Sequence, residues 1–334
     1  MLRIYAGQNG RLATIDTLDQ PEAPGILWLD LLNASNEDVK RIESHLGISI
    51  PTRDEMAEIE LSDRLYHEDG AEFMTMTTVT EIDSDHPVKA PVTFILKGQS
   101  LVTVRHMESK PFLQYMAKVQ RGIAEPCVSG ESVMLGVIES IIDRIADTLE
   151  RIGDETDAVS REVFRTKAGN ATKMTRDLQS LIEHIGRKGD LLAKLRESLV
   201  SILRLTAYHS ALATNGLSSQ TPRRKPKKDA RERLKLVQRD ASSLADHAVF
   251  LSGKLNFLLD ATLGLINLQQ NQIIKIFSVA AVVFLPPTLV ASIYGMNFDM
   301  MPELKWMLGY PWALGLMALS AILPYLFFKR RGWI

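Results

Sequence analysis

Residues 276–294 read IFSVAAVVFLPPTLVASIY, residues 295–310 read GMNFDMMPELKWMLGY, and residues 311–328 read PWALGLMALSAILPYLFF. The first and third stretches carry no charged residue, and as α-helices each would extend about 27–29 Å, close to the hydrocarbon thickness of a bilayer. A buried hairpin in a soluble core is the alternative, but charged and aromatic residues flank both stretches. We therefore predict two membrane-spanning helices over 276–294 and 311–328, joined by an outer loop over 295–310.

The charges around these stretches predict their orientation. Lys275 precedes the first stretch and the basic run 329–331 follows the second, whereas the loop contains Asp299, Glu303 and a single lysine. Since cytoplasmic flanks are enriched in Lys and Arg, we expect both termini in the cytoplasm and the loop outside. A loop of this length is either the mouth of a pore or a simple turn.

Small and polar residues form a stripe along the first stretch and upstream of it, at a spacing of three to four. The stripe consists of Asp260, Gly264, Asn267, Asn271, Ile274, Ser278, Ala281, Leu285, Thr288, Ser292 and Gly295. Helix packing through small residues explains Gly264, Ala281 and Ser292. It does not explain the carboxylate and the two amides, which favour water or a cation. If several copies surround an axis, the stripe lines a channel, and this is the interpretation we favour.

Pro286 and Pro287 lie within the first span and have no backbone N–H to donate to the preceding turn of the helix. They leave the carbonyls of Val282 and Val283 without helical partners, which predicts either a kink or a hinge. No proline occurs between 229 and 275, so 229–294 reads as one long helix. Such a helix cannot bury its apolar positions alone, and we expect oligomerisation.

The composition of the whole chain excludes several classes of protein. The formal net charge of −1 gives no reason to expect nucleic-acid binding. Cys127 is the only cysteine, which rules out an intramolecular disulfide. The sequence contains no GxxxxGK[ST] phosphate loop, no Cys-x-x-Cys pair and no HExxH motif, so we expect neither an enzyme nor an ATP-driven pump.

Residues 1–128 predict a cytoplasmic α/β domain. Residues 26–31 read as a buried strand, Ser35 as the N-cap of a helix that ends near Gly47, and 92–104 as a hairpin. Met74, Met76 and Thr78 alternate with Thr75 and Thr77, as the two faces of a strand do.

Residues 129–228 predict two antiparallel amphipathic helices and a distal basic loop, 215–228, whose role stays open. One face of the first helix is acidic and indicates either a solvated surface or a reservoir for divalent cations. Its carboxylates are Glu139, Asp143, Asp147, Glu150, Asp154, Glu155 and Asp157.

The loop contains YGMNF at 294–298, MPEL at 301–304 and GYP at 309–311, with FLPPT at 284–288 upstream and FKR at 328–330 downstream. This pattern resembles the CorA family of magnesium and cobalt transporters. The resemblance implies a funnel-shaped homopentamer in the bacterial inner membrane, with an α/β cytoplasmic domain, long α-helices and two C-terminal transmembrane helices. It implies Mg²⁺ as substrate and regulatory ligand, no other cofactor, and leaves Co²⁺ and Ni²⁺ open as further substrates. The expected partners are further copies of the chain and the lipid bilayer.

The resemblance also implies roles for single residues. It places a ring of Asn297 at the outer mouth, beside Gly295 and Met296. It places further pore positions at Thr288, Leu285, Ile274, Asn271 and Asp260, all of which lie on the stripe; the spacing adds Ala281 and Ser278. It implies regulatory Mg²⁺ between neighbouring subunits, for which the candidates are Asp240 and Asp246 in the long helix with Asp83, Asp85 or another carboxylate in the N-terminal domain.

A mouth that selects Mg²⁺ should hold the hydrated ion, because Mg²⁺ gives up its waters reluctantly. Amide oxygens of Asn297 can accept hydrogen bonds from those waters. Asp299 and Glu303 would concentrate cations at the entrance, although a structural role suits Glu303 equally well. The cytoplasmic tail of Lys329, Arg330 and Arg331 either restrains leak or only fixes the topology.

Two other functions compete with this interpretation. A proton-coupled transporter of Zn²⁺ or another transition metal is the nearer one, but no histidine or cysteine follows His247. A non-conducting receptor or scaffold is the second, and the polar stripe argues against it.

Overall fold

The computed structural model describes residues 1–8, 10–15, 25–164, 171–215, 228–297 and 301–333 of the chain. The chain divides into two compact units. The first unit comprises Met1–Arg165 and Ile182–Leu258, and the second comprises Thr166–Leu181 and Leu259–Ile334.

A mixed seven-stranded sheet forms the centre of the first unit, in the order β2-β1-β3-β7-β6-β5-β4. Its strands are β1 Leu2–Gln8, β2 Arg11–Ile15, β3 Ile26–Leu32, β4 Leu65–Glu68, β5 Ala71–Thr80, β6 Val88–Lys97 and β7 Ser100–Arg105. The central pair β3–β7 is parallel and its neighbouring pairs are antiparallel. The predicted strand and hairpin are confirmed as β3 and as β6–β7.

Three short helices follow β3: α1 Asn36–Leu46, α2 Arg53–Ala57 and α3 Leu61–Arg64. The predicted ends of α1 are confirmed. The Ser35 hydroxyl accepts a hydrogen bond from the Asp38 N–H at 3.2 Å, and Gly47 ends the helix with a left-handed φ of 59°. Ile42 of α1 and Met56 of α2 pack in a core with β-strand residues such as Leu29.

The run WLDL at 28–31 supplies both faces of β3. Leu29 and Leu31 belong to the core shared with α1 and α2. On the opposite face, Asp30 forms a buried ion pair with Arg105 of β7, in which Nε and Nη2 donate to the two carboxylate oxygens at 2.9 and 2.8 Å. Both side chains are only 1% exposed. Trp28 is equally buried, and its Nε1–H donates to the Thr103 hydroxyl at 2.9 Å.

Strand β5 is buried along its full length on both faces. The Thr75 hydroxyl is bonded to that of Thr93 at 2.8 Å, and the Thr77 hydroxyl accepts a hydrogen bond from Nη1 of Arg64 at 3.1 Å. The threonines are therefore accommodated by hydrogen bonds inside the unit, which agrees with the rule that buried polar groups are paired.

One more short helix and three long helices complete the described chain up to the loop 295–310. They are α4 Lys110–Gln120, α5 Gly130–Val163, α6 Ala171–Asn215 and α7 Lys228–Tyr294. The predicted continuity of the last helix is confirmed, since α7 extends through Pro286 and Pro287.

Within the first unit α7 buries a seam at a spacing of three, four or seven residues. Its members are Leu234, Val237, Ala241, Ala248, Leu251, Leu255 and Leu258. The first unit therefore buries one side of this segment of α7 by itself. The expected oligomerisation concerns the apolar residues of α7 that the chain leaves exposed, among them Phe250 and Phe257.

In the second unit a 3-10 turn, Pro302–Lys305, precedes the last helix, α8 Gly309–Arg330. Helix α8 is four residues longer than the predicted span, because it begins two residues before Pro311 and includes two basic residues at its end.

Candidate functional site in the apolar helices

The last part of α7 and nearly all of α8 are apolar and almost wholly uncovered. Only 6% of the most apolar eighteen-residue stretch of each helix is buried. Phe277 and Phe284 are 72% and 70% exposed. The core helix of a soluble protein would bury such residues, so the exposure favours helices that are covered by lipid or by other chains.

The polar stripe is exposed as well. Within the described chain the positions Asp260, Asn267, Asn271, Ile274, Ser278, Ala281, Leu285, Thr288 and Ser292 are all exposed. Val279 is the only residue buried between 271 and 294. The apolar positions of α7 are equally exposed, so exposure alone does not distinguish the apolar face from the polar stripe. The chemistry of the side chains distinguishes them, because lipid solvates the apolar face and cannot form hydrogen bonds with the amides and hydroxyls of the stripe.

Hydroxyl groups accompany the two prolines of α7. Pro286 and Pro287 have no N–H to donate to the preceding turn. The Thr288 hydroxyl donates to the Phe284 carbonyl, and the Ser292 hydroxyl donates to the Thr288 carbonyl, each at 2.8 Å. Each hydroxyl oxygen then keeps lone pairs that can accept from water.

Helix α7 ends at the motif Gly295-Met296-Asn297. The Gly295 N–H donates to the Ala291 carbonyl at 2.9 Å, and the Met296 N–H donates to the Ile293 carbonyl at 3.3 Å. A Cβ atom at Gly295 would lie 3.1 Å from the Ala291 carbonyl oxygen, so glycine permits the tight end of the helix. Met296 and Asn297 are exposed. Asp299 lies outside the described residues, as does the side chain of Glu303.

The C-terminal end of α8 contacts Lys275 of α7 through an aromatic ring. The Lys275 Nζ lies 5.8 Å from the centre of the Trp333 ring, and that ring lies 5.2 Å from the ring of Phe328. Lys329, Arg330 and Arg331 are exposed, and the guanidinium of Arg331 lies 5.6 Å from the centre of the Phe327 ring.

Asp83, one candidate for a regulatory metal ligand, is already surrounded by cations. Its carboxylate accepts from Lys110 at 2.6 Å, Arg144 at 2.5 Å and Arg151 at 3.0 Å. The hydrogen bonds from Lys110 and Arg151 hold the pKa of the Asp83 carboxyl well below its usual range. In this conformation Asp83 does not fit a Mg²⁺ site, because a divalent cation would join three positive groups around one carboxylate.

The other three candidates are more accessible. Asp85, Asp240 and Asp246 are exposed, and no ion pair engages them within the described chain. The described residues contain no group of three or more His, Cys, Asp or Glu side chains that could hold a metal ion.

The acidic face of α5 is partly neutralised. Four of its carboxylates form ion pairs with basic side chains of the first unit: Glu139 with Arg233, Asp143 with Lys118, Glu155 with Lys188 and Asp157 with Lys254. These pairs reduce the charge available to a cation reservoir.

Sequence reasoning also missed a charged cluster around His209. His209 of α6 is bonded through Nδ1 to Glu72 of β5 at 2.7 Å and through Nε2 to Glu131 of α5 at 3.2 Å. Burial alone would lower the pKa of His209, but the hydrogen bonds to Glu131 and Glu72 outweigh it and raise the pKa to about 9. The three residues are far apart in the sequence, and no local pattern marks them.

Known proteins resemble the chain over its whole length. A family model described as "CorA-like Mg2+ transporter protein" matches residues 24–330. The magnesium transport protein CorA of Yersinia pseudotuberculosis is 35% identical over 337 residues, and that of Escherichia coli K12 is 34% identical over 336 residues. Each alignment covers 100% of this chain and 100% of the relative.

Solved structures share the fold at much lower identity. The CorA magnesium transporter from Methanocaldococcus jannaschii has a TM-score of 0.76 at 18% identity, covering 100% of this chain and 99% of that one. The full-length CmaX protein has a TM-score of 0.68 at 16% identity, covering 99% and 97%. With its α/β domain, its long helix, its two apolar C-terminal helices and this sequence similarity, the chain belongs to the CorA-like Mg²⁺ transporter family.

Proposed function

We propose that the chain is a Mg²⁺ channel in which the stripe of α7 lines the conduction path. The observation that carries the proposal is the stripe itself. A helix of membrane length presents amides, hydroxyls and small residues along one side, and its own chain covers none of them from Asn271 to Leu285 and at Thr288 and Ser292. Membership of a Mg²⁺ transporter family supports the choice of ion.

The channel is a homopentamer in the bacterial inner membrane, with both termini in the cytoplasm. Domain 1–128, helices 129–228 and the stalk of α7 lie in the cytoplasm, and 276–294 and 311–328 cross the bilayer. Exposed apolar residues on the cytoplasmic part of α7, such as Val249 and Phe250, supply surface for contacts between copies.

The outer mouth selects the hydrated ion. A ring of Asn297 side chains accepts hydrogen bonds from the coordinated waters, which binds Mg²⁺ without the cost of stripping them. Asp299 and Glu303 raise the cation concentration at the entrance. Co²⁺ and Ni²⁺, which carry the same charge, are the further ions that this mouth is expected to admit.

Flux is inward and needs no ATP. A divalent cation gains about 4.6 kcal/mol per 100 mV of inside-negative potential, twice the value for one charge. Ile274 and Leu285 are the bulky apolar members of the stripe, and they close the path by excluding water when the helices approach each other. Lys329, Arg330 and Arg331 fix the topology at the inner exit.

Cytosolic Mg²⁺ closes the channel by binding between subunits. Asp240 and Asp246 supply carboxylates from α7, and Asp85 is the better partner in the N-terminal domain because Asp83 is engaged by three cations. If replacing both Asp240 and Asp246 by alanine leaves inhibition by internal Mg²⁺ unchanged, these two residues are not the sensor.

The test is Mg²⁺ influx into proteoliposomes that contain the purified full chain, under an imposed inside-negative potential. We expect influx in the unaltered chain and its loss in Asn297→Ala, with the same oligomer size in detergent. Asn36→Ala, which changes an exposed asparagine of the cytoplasmic domain, is the matched control. Selective influx that survives Asn297→Ala would reject the mouth assignment.

The same vesicles test the alternative. A proton-coupled Zn²⁺ transporter would take up Zn²⁺ in response to a pH gradient and would respond weakly to Mg²⁺. Zn²⁺ uptake that depends on the pH gradient, without Mg²⁺ influx, would replace the proposed function.

A further inference from the structure

The C-terminal end of α8 is a defined turn. Gly332 has a φ of 69°, in the left-handed region that favours glycine. The Gly332 N–H donates to the Lys329 carbonyl at 3.2 Å, and the Trp333 N–H donates to the Phe328 carbonyl at 3.1 Å. These two bonds form a Schellman motif, and the ring contact between Phe328 and Trp333 is the apolar contact that accompanies it. The end of the helix therefore fixes the position of Trp333.

Lys275 of α7 lies over this fixed ring. The distance of 5.8 Å from Nζ to the ring centre is within the range of about 6 Å for a cation–π interaction. Among the described residues no carboxylate forms an ion pair with Lys275. Among the described residues, the indole ring of Trp333 is therefore the partner of this ammonium group.

The position of Lys275 on α7 makes this contact relevant to ion conduction. Lys275 directly follows Ile274 of the stripe and precedes the first uncharged stretch. Consecutive residues of an α-helix differ by about 100° around its axis, so a long side chain at 275 can turn toward the stripe or away from it. An ammonium group that turned toward the stripe would repel a cation leaving the channel.

We propose that Trp333 is a positioning residue for Mg²⁺ transport, because its ring holds the ammonium group of Lys275 on the side of α7 that faces α8 and away from the conduction path. This inference rests on the proposed function, since it assigns the path to the stripe. Gly332 contributes to the same role, because its left-handed φ fixes the position of the Trp333 ring.

A tryptophan at a membrane boundary also acts as an interfacial anchor. An anchor works through lipid and does not depend on Lys275, whereas the positioning role vanishes once the charge at 275 is removed. The two roles therefore differ in how the substitutions combine.

The experiment measures Mg²⁺ influx in proteoliposomes for the unaltered full chain, Trp333→Leu, Lys275→Gln and the double variant. We expect Trp333→Leu to lower influx about two- to fivefold, the population shift that corresponds to one exposed cation–π contact. Trp333→Phe, which keeps an aromatic face, should recover most of the influx. In the Lys275→Gln background, Trp333→Leu should have no further effect.

Lys275→Gln also tests the proposal without altering the turn, and its influx should at least equal that of the unaltered chain. A fall in influx for Lys275→Gln, or an equal effect of Trp333→Leu in both backgrounds, would overturn the positioning role and leave only the anchor. Absence of influx in the unaltered chain would instead reject the proposed function.

Discussion

The two units of the chain differ in which side chains they bury and which they leave exposed. In the first unit Asp30, Arg105, Glu72 and His209 are buried charged residues, and each has a partner of opposite charge. In the second unit most apolar side chains of α7 and α8 are exposed, and so are the polar groups of the stripe. The first unit can therefore be understood as a folded chain by itself, whereas the second requires surroundings that the single chain does not supply.

This contrast separates stability from function. Substitutions at buried charges of the first unit should act mainly on the free energy of unfolding. Substitutions on the stripe should act mainly on flux, because the side chains there make few contacts within the chain.

The largest expected effect on stability is at the buried ion pair of the sheet. Arg105→Leu leaves the Asp30 carboxylate buried without its main partner and should lower the free energy of unfolding by about 3–5 kcal/mol. Lys89→Ala removes an exposed ion pair with Glu197 and should change it by less than about 1 kcal/mol. Chemical denaturation in detergent, followed by far-UV circular dichroism, measures both. Equal effects of the two substitutions would contradict the contrast.

A smaller effect is expected from pH at His209. Its pKa is about 9 in the folded chain and about 6.5 when unfolded, so the stabilisation is fully present below pH 6.5 and is lost as pH rises through 9. We expect the free energy of unfolding to fall by on the order of 2–3 kcal/mol between pH 6.5 and pH 10 through this group.

The control for that pH effect is His209→Gln, which keeps hydrogen-bonding capacity without a charge. The difference between the two proteins should shrink as pH rises toward 10. A difference that stays constant with pH would show that His209 carries no extra proton in the folded chain.

The smallest stability effect is expected on the stripe. Leu285 is 65% exposed, so Leu285→Ala should change the free energy of unfolding by less than about 1 kcal/mol. Leu199→Ala, at a fully buried leucine of α6, should lower it by about 2–5 kcal/mol. In flux assays the order should reverse, with Leu285→Ala increasing Mg²⁺ leak and Leu199→Ala leaving it unchanged. Equal loss of stability in both variants would place Leu285 in an intrachain core.

The features that the sequence predicted are those set by neighbouring residues. Ser35 and Gly47 mark the ends of α1 because caps depend on local hydrogen bonds and a left-handed φ. The apolar length of 276–294 and 311–328 and the stripe of α7 are likewise visible in a short window. The stripe follows from residue spacing alone, and its role in lining a pore is a prediction.

The features that the sequence could not predict join distant segments. The parallel pairing of β3 with β7 and the bond from His209 to Glu72, 137 residues apart, depend on the topology of the sheet and the packing of α6 on it. The same holds for the three cations around Asp83, which are contributed by α4 and α5. The sequence suggests that the Asp83 carboxylate is available to bind a metal ion, whereas in the fold it already forms ion pairs with these three cations.

The central claim is that the stripe of α7 faces a water-filled path for Mg²⁺. Cys127, the only native cysteine, is buried, so a Cys127→Ser chain provides a background for single cysteines. We expect a charged, membrane-impermeant thiol reagent to block Mg²⁺ influx in Ser278→Cys and Ala281→Cys, and to leave it unchanged in the neighbouring off-stripe variants Phe277→Cys and Val282→Cys. Block at the off-stripe positions, or full influx after modification at the stripe positions, would contradict the account.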